Sequence, residues 1–514
     1  MNIREAKEEL KNIVRAYLAK DENGMPRIPV EHQRPVLLMG PPGIGKTAVM
    51  EQIAKELKIN LVSYTITHHT RQSAIGLPGI VHRSFGGEEH AVTEYTMSEI
   101  IAAVYEQIEL SGVREGILFL DEINCVSETL APTMLQFLQY KTFGTHKVPD
   151  SFIIVTAGNP PEYNQSVREF DIVTLDRLRR IDIDADLQAF KEYAYRSKLH
   201  GAILAYLEIH KDRFYRIHAD TDRKSFVTAR GWEDLSDAIK TYEALKLPVG
   251  EALMGQYLQD PEISEDFAIY YELYRKYESF FRIPEILSGK ASPDSTLRNA
   301  PFDEKLSFIS LLTDSLGTEF KAYRDDKAAA EKCLSLLKET GRRLKELLAQ
   351  PSDRGAVRTS KVLGDIISFH SDRREQLKRS GMLSYEEERD GIRTEKILKE
   401  LNNALREHEE EQGADPRMSF AYAKKWFAER EEERQQAIAL TGEHLTNVFR
   451  ALNETFPQGQ EMVIFLSELN SGYYSLKFVN ECGNEDYYHY NRLLLLKERG
   501  DSLRQEILRL TEEI

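Results

Sequence analysis

The sequence predicts an α/β protein: a parallel sheet flanked by helices, then an all-helical second domain and a long all-helical C-terminal extension. Two observations carry this expectation. Between Pro35 and about Asp184 short apolar runs alternate with helical stretches, and strands that alternate with helices build parallel crossover units covered on both faces. From about Leu187 the strand signal fades and apolar residues recur at helical spacing.

Taken in order, the opening segment MNIREAKEELKNIVRAYLAK carries acidic residues and a helical apolar stripe (Ala6, Leu10, Ile13, Val14, Tyr17, Leu18) where a secretory signal would be continuously apolar. The strand PVLLM is followed by the helix TAVMEQIAKEL, then NLVSYTI, SEIIAAVYEQIEL, GILFL, TLAPTMLQFLQY and FIIVTAGN. This first unit is expected over residues 1–186. Helical segments AFKEYAYRSKLHGAILAYLEIH and GWEDLSDAIKTYEALKL place a second domain at 187–290, and the Ser, Gly and Pro of ILSGKASPDSTLRNAP mark a connection. The remainder, 291–514, reads as helix. Its charge runs at 386–390, 407–411 and 429–434 lie beside apolar Ile397, Leu398, Leu401 and Leu405. Two readings fit them: solvated faces of long helices, or a projecting arm that docks a partner. The aromatic-rich stretch from Glu461 onward is expected to form a small packed helical unit.

The stretch Gly40-Pro41-Pro42-Gly43-Ile44-Gly45-Lys46-Thr47 follows an apolar strand and opens a helix, the context a phosphate-binding loop requires. Glycines let successive backbone N–H groups converge on phosphate oxygens, and the helix aims its positive end at them, with Ala48 still in its first turn. Lys46 would reach the outer phosphates and Thr47 would ligate Mg²⁺. Downstream, the apolar strand ILFL ends in Asp121 and Glu122, at a sheet edge of the kind where ligands bind. Asp121 suits the Mg²⁺ shell and Glu122 suits polarising a water, against the alternative of an acidic helix N-terminus. The strand FIIVTA delivers Gly158 and Asn159 to the same edge, where the amide would orient that water, or else begin a turn before Pro160.

GPPGIGKT, ILFLDEIN, the strand ending in GNPP, and LDRLRRIDI in that order resemble AAA+ ATPases, specifically the MoxR family, over about the first 240 residues. The resemblance implies an AAA+ P-loop core with an all-α lid, ATP and Mg²⁺ as cofactors, and a homo-oligomeric ring, usually hexameric. It implies a catalytic arginine supplied by the neighbouring subunit, at Arg177 with Arg179 and Arg180 as alternatives, and a lid arginine at Arg230, where Ala229 replaces the usual proline. It also implies an insertion in GLPGIVHRSFGGEEHAVTEY that lines a pore through Phe85 or His82; an ordinary hairpin loop fits equally well. A protein client, in this family often one with a von Willebrand factor A domain, is the implied partner.

A formal net charge of −16 and the lack of a helix-turn-helix or zinc-finger pattern argue against a nucleic-acid motor, the principal competing function. A slow nucleotide-gated scaffold is the other, and the presence of Glu122 and Asn159 argues against it. Cys125, Cys333 and Cys482 are too far apart for a zinc site, and the adjacent His68 and His69 cannot share one face as paired ligands do. With no 18-residue apolar run, the chain is expected to be soluble and cytoplasmic.

Overall fold

The computed structural model describes residues 1–68, 76–163, 167, 170–219, 224–349, 357–457 and 459–494. His69 and the rest of its neighbourhood to residue 75 lie outside them.

The first region begins with helix α1 (Ile3–Leu18), whose Asn2 and Glu5 form a reciprocal cap. The strands and helices that follow are β1 (Val36–Met39), α2 (Lys46–Leu57), β2 (Asn60–Thr65), β3 (Pro78–Phe85), β4 (Glu88–Tyr95), α3 (Glu99–Ser111) and β5 (Gly116–Asp121). Next come α4 (Ala131–Tyr140), the short β6 (Thr142–Phe143) and β7 (His146–Lys147), β8 (Phe152–Gly158), α5 (Ile172–Asp176) and β9 (Arg179–Asp182). Five strands form one parallel sheet in the order β2-β5-β8-β1-β9. Successive side chains on a strand face opposite ways, and the apolar runs divide accordingly. Val36, Leu38, Ile117, Phe119, Ile153 and Val155 pack with α1 and α2. Leu37, Leu118, Leu120, Phe152 and Ile154 pack with α3 and α4 on the other face. Strands buried on both faces read as continuous hydrophobic runs because neither face meets water. The expected α/β core is therefore present, and β9, hidden within the motif LDRLRRIDI, adds an edge strand.

The inserted segment at 78–95 is an antiparallel hairpin turned at Gly86 and Gly87, both with positive φ. His82 and Phe85 are both exposed on it.

The second region holds α6 (Leu187–Ser197), α7 (Gly201–Ile209), β10 (Arg216–Ala219), β11 (Lys224–Val227), α8 (Ala229–Ala244), α9 (Glu251–Tyr257), α10 (Pro261–Phe280) and α11 (Ile283–Leu287). The two short antiparallel strands depart from the all-helical expectation. Trp232 is fully buried at its centre, and its indole N–H donates to the Phe214 carbonyl. Truncation of such a side chain costs about 3–5 kcal/mol.

The third region consists of α12 (Phe302–Ala349), α13 (Thr359–Arg379), α14 (Tyr385–Gln412), α15 (Pro416–Thr455), α16 (Gln460–Ser471) and α17 (Tyr473–Cys482). The expected division at 290/291 falls inside a shared core: Phe190, Trp232 and Phe267 belong to one cluster with Phe308, Phe320, Phe449, Phe465 and Phe478. A separate cluster, including Ala329, Leu363, Leu398 and Ala423, joins the distal parts of α12 and α15 to α13 and α14. The charge runs are not simply solvated. Glu409 is buried and accepts from the Ser360 N–H and hydroxyl, while Arg324 pairs with Asp390 at 2.8 Å and Glu386 at 3.0 Å. Among the described residues, no helix is long and apolar enough to cross a membrane.

Candidate functional site

The loop Gly40–Gly45 leaves β1 and enters α2 in a conformation that needs positive φ at Gly43 (+73°) and Gly45 (+94°). Each of its first four carbonyls is held. The Lys46 ammonium donates to Gly40 O at 2.7 Å and Pro41 O at 2.9 Å, the Tyr215 hydroxyl donates to Pro42 O at 2.8 Å, and the Arg230 backbone N–H donates to Gly43 O at 3.2 Å. Fixing the carbonyls orients the peptide planes that carry the amides. The backbone N–H groups of Gly43, Ile44, Gly45, Lys46, Thr47 and Ala48 find no partner among the described residues. Consecutive unpartnered amides running into a helix N-terminus make an anion site.

Lys46 is buried, and its third donor goes to Asn159 Oδ1 at 2.8 Å. Burial lowers its pKa to about 8, against the opposing pull of Asp121 and with a further push from Arg230. No carboxylate neutralises it within ion-pair distance among the described residues, so the cation is held by dipoles alone.

The ends of β5 and β8 complete the site. Thr47 Oγ1 donates to Asp121 Oδ2 at 3.0 Å, and Asp121 Oδ1 accepts the Glu122 N–H at 2.9 Å. Glu122 sits in the left-handed region, φ +57°, which costs a non-glycine residue roughly 1 kcal/mol and turns the chain out of the sheet. Its Oε2 accepts from Thr67 Oγ1 at 3.0 Å. Asn124, buried beneath, donates from Nδ2 to the Asn159 carbonyl at 2.7 Å. Gly158 permits that approach, since a Cβ there would stand 2.6 Å from Asn124 Oδ1. Thr67, Asn124 and Tyr215 were not singled out from the sequence; the sheet order brings Thr67 to Glu122 and Asn124 to Asn159, and the second region brings Tyr215 to the loop.

Thr47 and Asp121 present adjacent oxygen donors, the hard ligands Mg²⁺ prefers. Among the described residues no group of three or more His, Cys, Asp or Glu is arranged to hold a metal. A site of two protein oxygens suits Mg²⁺, which keeps several waters and takes further ligands from phosphate.

The three arginines after α5 differ in their surroundings. Arg179 pairs with Glu9 at 2.5 Å and Arg180 with Asp182 at 2.8 Å. Arg177, at the C-terminal end of α5, is exposed and makes no ion pair among the described residues. Arg230 lies in the first turn of α8, capped by Thr228, with its side chain exposed.

Residues 35–178 match the family model described as AAA domain (dynein-related subfamily), a little over a quarter of the chain. This segment is an AAA domain. No curated protein matches the chain. The AAA domain supports ATP-driven activity in general, and such domains bind nucleotide, typically with Mg²⁺, and often form oligomeric rings.

Proposed function

We propose that this chain is a MoxR-like AAA+ ATPase that hydrolyses Mg-ATP in a homo-oligomeric ring and uses the energy to remodel a protein client.

 

A von Willebrand factor A domain protein is the client class the MoxR reading favours. The observation that carries the proposal is the contrast among the three arginines: Arg179 and Arg180 are occupied within the chain, while Arg177 is exposed and makes no ion pair among the described residues.

In this reading the amides of Gly43–Ala48 cradle the phosphates, and Lys46 moves from the carbonyls of Gly40 and Pro41 to the outer phosphates. Thr47 and Asp121 would hold Mg²⁺, which would supply neutralisation of phosphate charge. Glu122 accepts a proton from the attacking water, and Asn159, released by Lys46, positions that water. Arg177 of one subunit reaches the site of the next, a contribution worth about 10³–10⁵ in rate. Arg230 joins the phosphate end from the lid, whose α8 is already tied to Gly43.

The test mixes two inactive variants, Glu122→Gln and Arg177→Ala. A shared site predicts turnover per subunit that rises with concentration, and partial recovery in the mixture. Concentration-independent turnover without recovery overturns the shared site. Capture by Glu122→Gln with ATP, compared with Lys46→Ala, identifies the client.

The distal helices are the proposed docking arm. Deleting residues 300–514 would also remove Phe308, Phe320 and Phe449 from the shared core, so the arm is better tested by joining α12 near Ala328 to α15 near Ile438. Client capture that survives this excision defeats the docking role.

A further inference from the structure

A second cleft lies where α6–α7, α12 and α16–α17 meet, among residues the nucleotide site does not use. Its volume is about 70 Å³, and its lining includes Tyr195, Lys198, Ser310, Asp314, Gly317 and Glu468. At roughly 10–15 Å³ per water-sized probe, the space admits a group of about five heavy atoms.

On α12, Ser310, Thr313, Asp314 and Gly317 follow one another at helical spacing, which puts them on one face toward the cleft. A Cβ at Gly317 would meet nothing within 4 Å, so the glycine leaves the cleft open. Ser310 is 5% exposed, and its hydroxyl has no hydrogen-bond partner among the described residues. A buried hydroxyl without a partner carries a desolvation cost that a ligand or an ordered water would relieve.

The charges are unbalanced toward the negative. Asp314 and Glu468 supply two carboxylates, and Lys198 supplies one ammonium, which donates to Thr318 Oγ1 at 3.4 Å. Burial raises the pKa of both acids, Glu468 to about 7, despite the hydroxyls of Thr313 and Tyr195 beside Glu468. Burial lowers that of Lys198 to about 8. Two acids thus share the cleft with a single ammonium, and a second cation placed between them would favour their ionised forms. Tyr195 and Phe320 add aromatic walls, surfaces that also favour cations.

We propose that this cleft binds a small organic cation, a guanidinium or primary ammonium group, between the carboxylates of Asp314 and Glu468 with Ser310 as an additional acceptor. The site is independent of the ATPase reading, because it shares no residue with the nucleotide site.

The test titrates the full-length protein with methylguanidinium by calorimetry, with capped arginine amide in a second arm. Saturable binding is expected, weakened about tenfold or more in Asp314→Asn and in Glu468→Gln, and weakened less in Ser310→Ala. Gly317→Leu, which fills the opening, should abolish it. Melting curves and nucleotide binding in the same variants must stay near wild type, and Asp314→Asn serves alone if Glu468→Gln fails to fold. Equal binding of the capped arginine points to a polypeptide side chain as the source of the cation; binding of methylguanidinium alone points to a free small molecule. No saturable binding of either, or binding that these substitutions leave unchanged, overturns the proposal and leaves a water-filled cleft.

Discussion

Lys46 and Arg324 are both largely buried cations, and they are buried in opposite ways. Arg324 is matched by charge: burial opposes its ionised form, but Asp325, Asp390 and Glu386 outweigh that cost and raise its pKa. Lys46 is matched only by two carbonyls and an amide oxygen, and its pKa falls. A cation whose partners are carboxylates of its own chain is committed to holding the fold together. One held by dipoles alone remains available to an anion that enters later. The same distinction separates Arg179 and Arg180 from Arg177.

The chemical step separates the two kinds of residue most strongly. Glu122→Gln should lower phosphate release about 10²–10⁴-fold in a turnover assay while leaving nucleotide binding intact. Retained turnover would remove Glu122 from the role of base. Arg177→Ala should cost about 10³-fold in turnover, whereas Arg179→Ala should change stability by less than about 1 kcal/mol, the usual scale for an exposed pair. If Arg179→Ala is the inactive variant, the contrast drawn from their pairing is wrong.

Removal of Arg324 leaves Asp390 without its ion-pair partner, while Arg389 still holds Asp325 at 2.7 Å, so Arg324→Ala should destabilise the fold by about 3 kcal/mol in denaturant unfolding. Lys46→Met should instead leave the nucleotide-free fold as stable as wild type, or more so, and abolish ATP binding. A large stability loss in Lys46→Met would show that the lysine holds the loop together.

The smallest effect is the pH dependence of that difference. The folded pKa of Lys46, about 8, lies below its ordinary value of 10.5, so folding favours the neutral amine. The penalty is fully present below pH 8 and fades as pH rises toward 10.5. Wild type should therefore gain about 1–3 kcal/mol relative to Lys46→Met between pH 7 and pH 10 without nucleotide, read from paired unfolding curves. A flat difference would mean that Lys46 titrates as a solvated lysine.

Much of the candidate site was legible because its signals are local. The loop glycines, Lys46 and Thr47 are contiguous, and Asp121, Glu122 and Asn159 each end a strongly apolar strand, so strand polarity alone sends them to one sheet edge. Short strands were less legible. β9 and the β10–β11 pair span four residues each, too few for alternation to stand out from the helical stretches beside them.

The α/β core, its C-terminal sheet edge and the residues delivered there follow from local sequence, because strand burial and loop geometry depend on near neighbours in the chain. Which arginine makes no ion pair among the described residues depends on tertiary packing, since Glu9 meets Arg179 across 170 positions. That packing also decided that Thr67 meets Glu122 and Tyr215 holds the loop, and that residues on both sides of 290 share one core. These are contacts between distant segments, set by how helices and strands pack, and no local pattern encodes them.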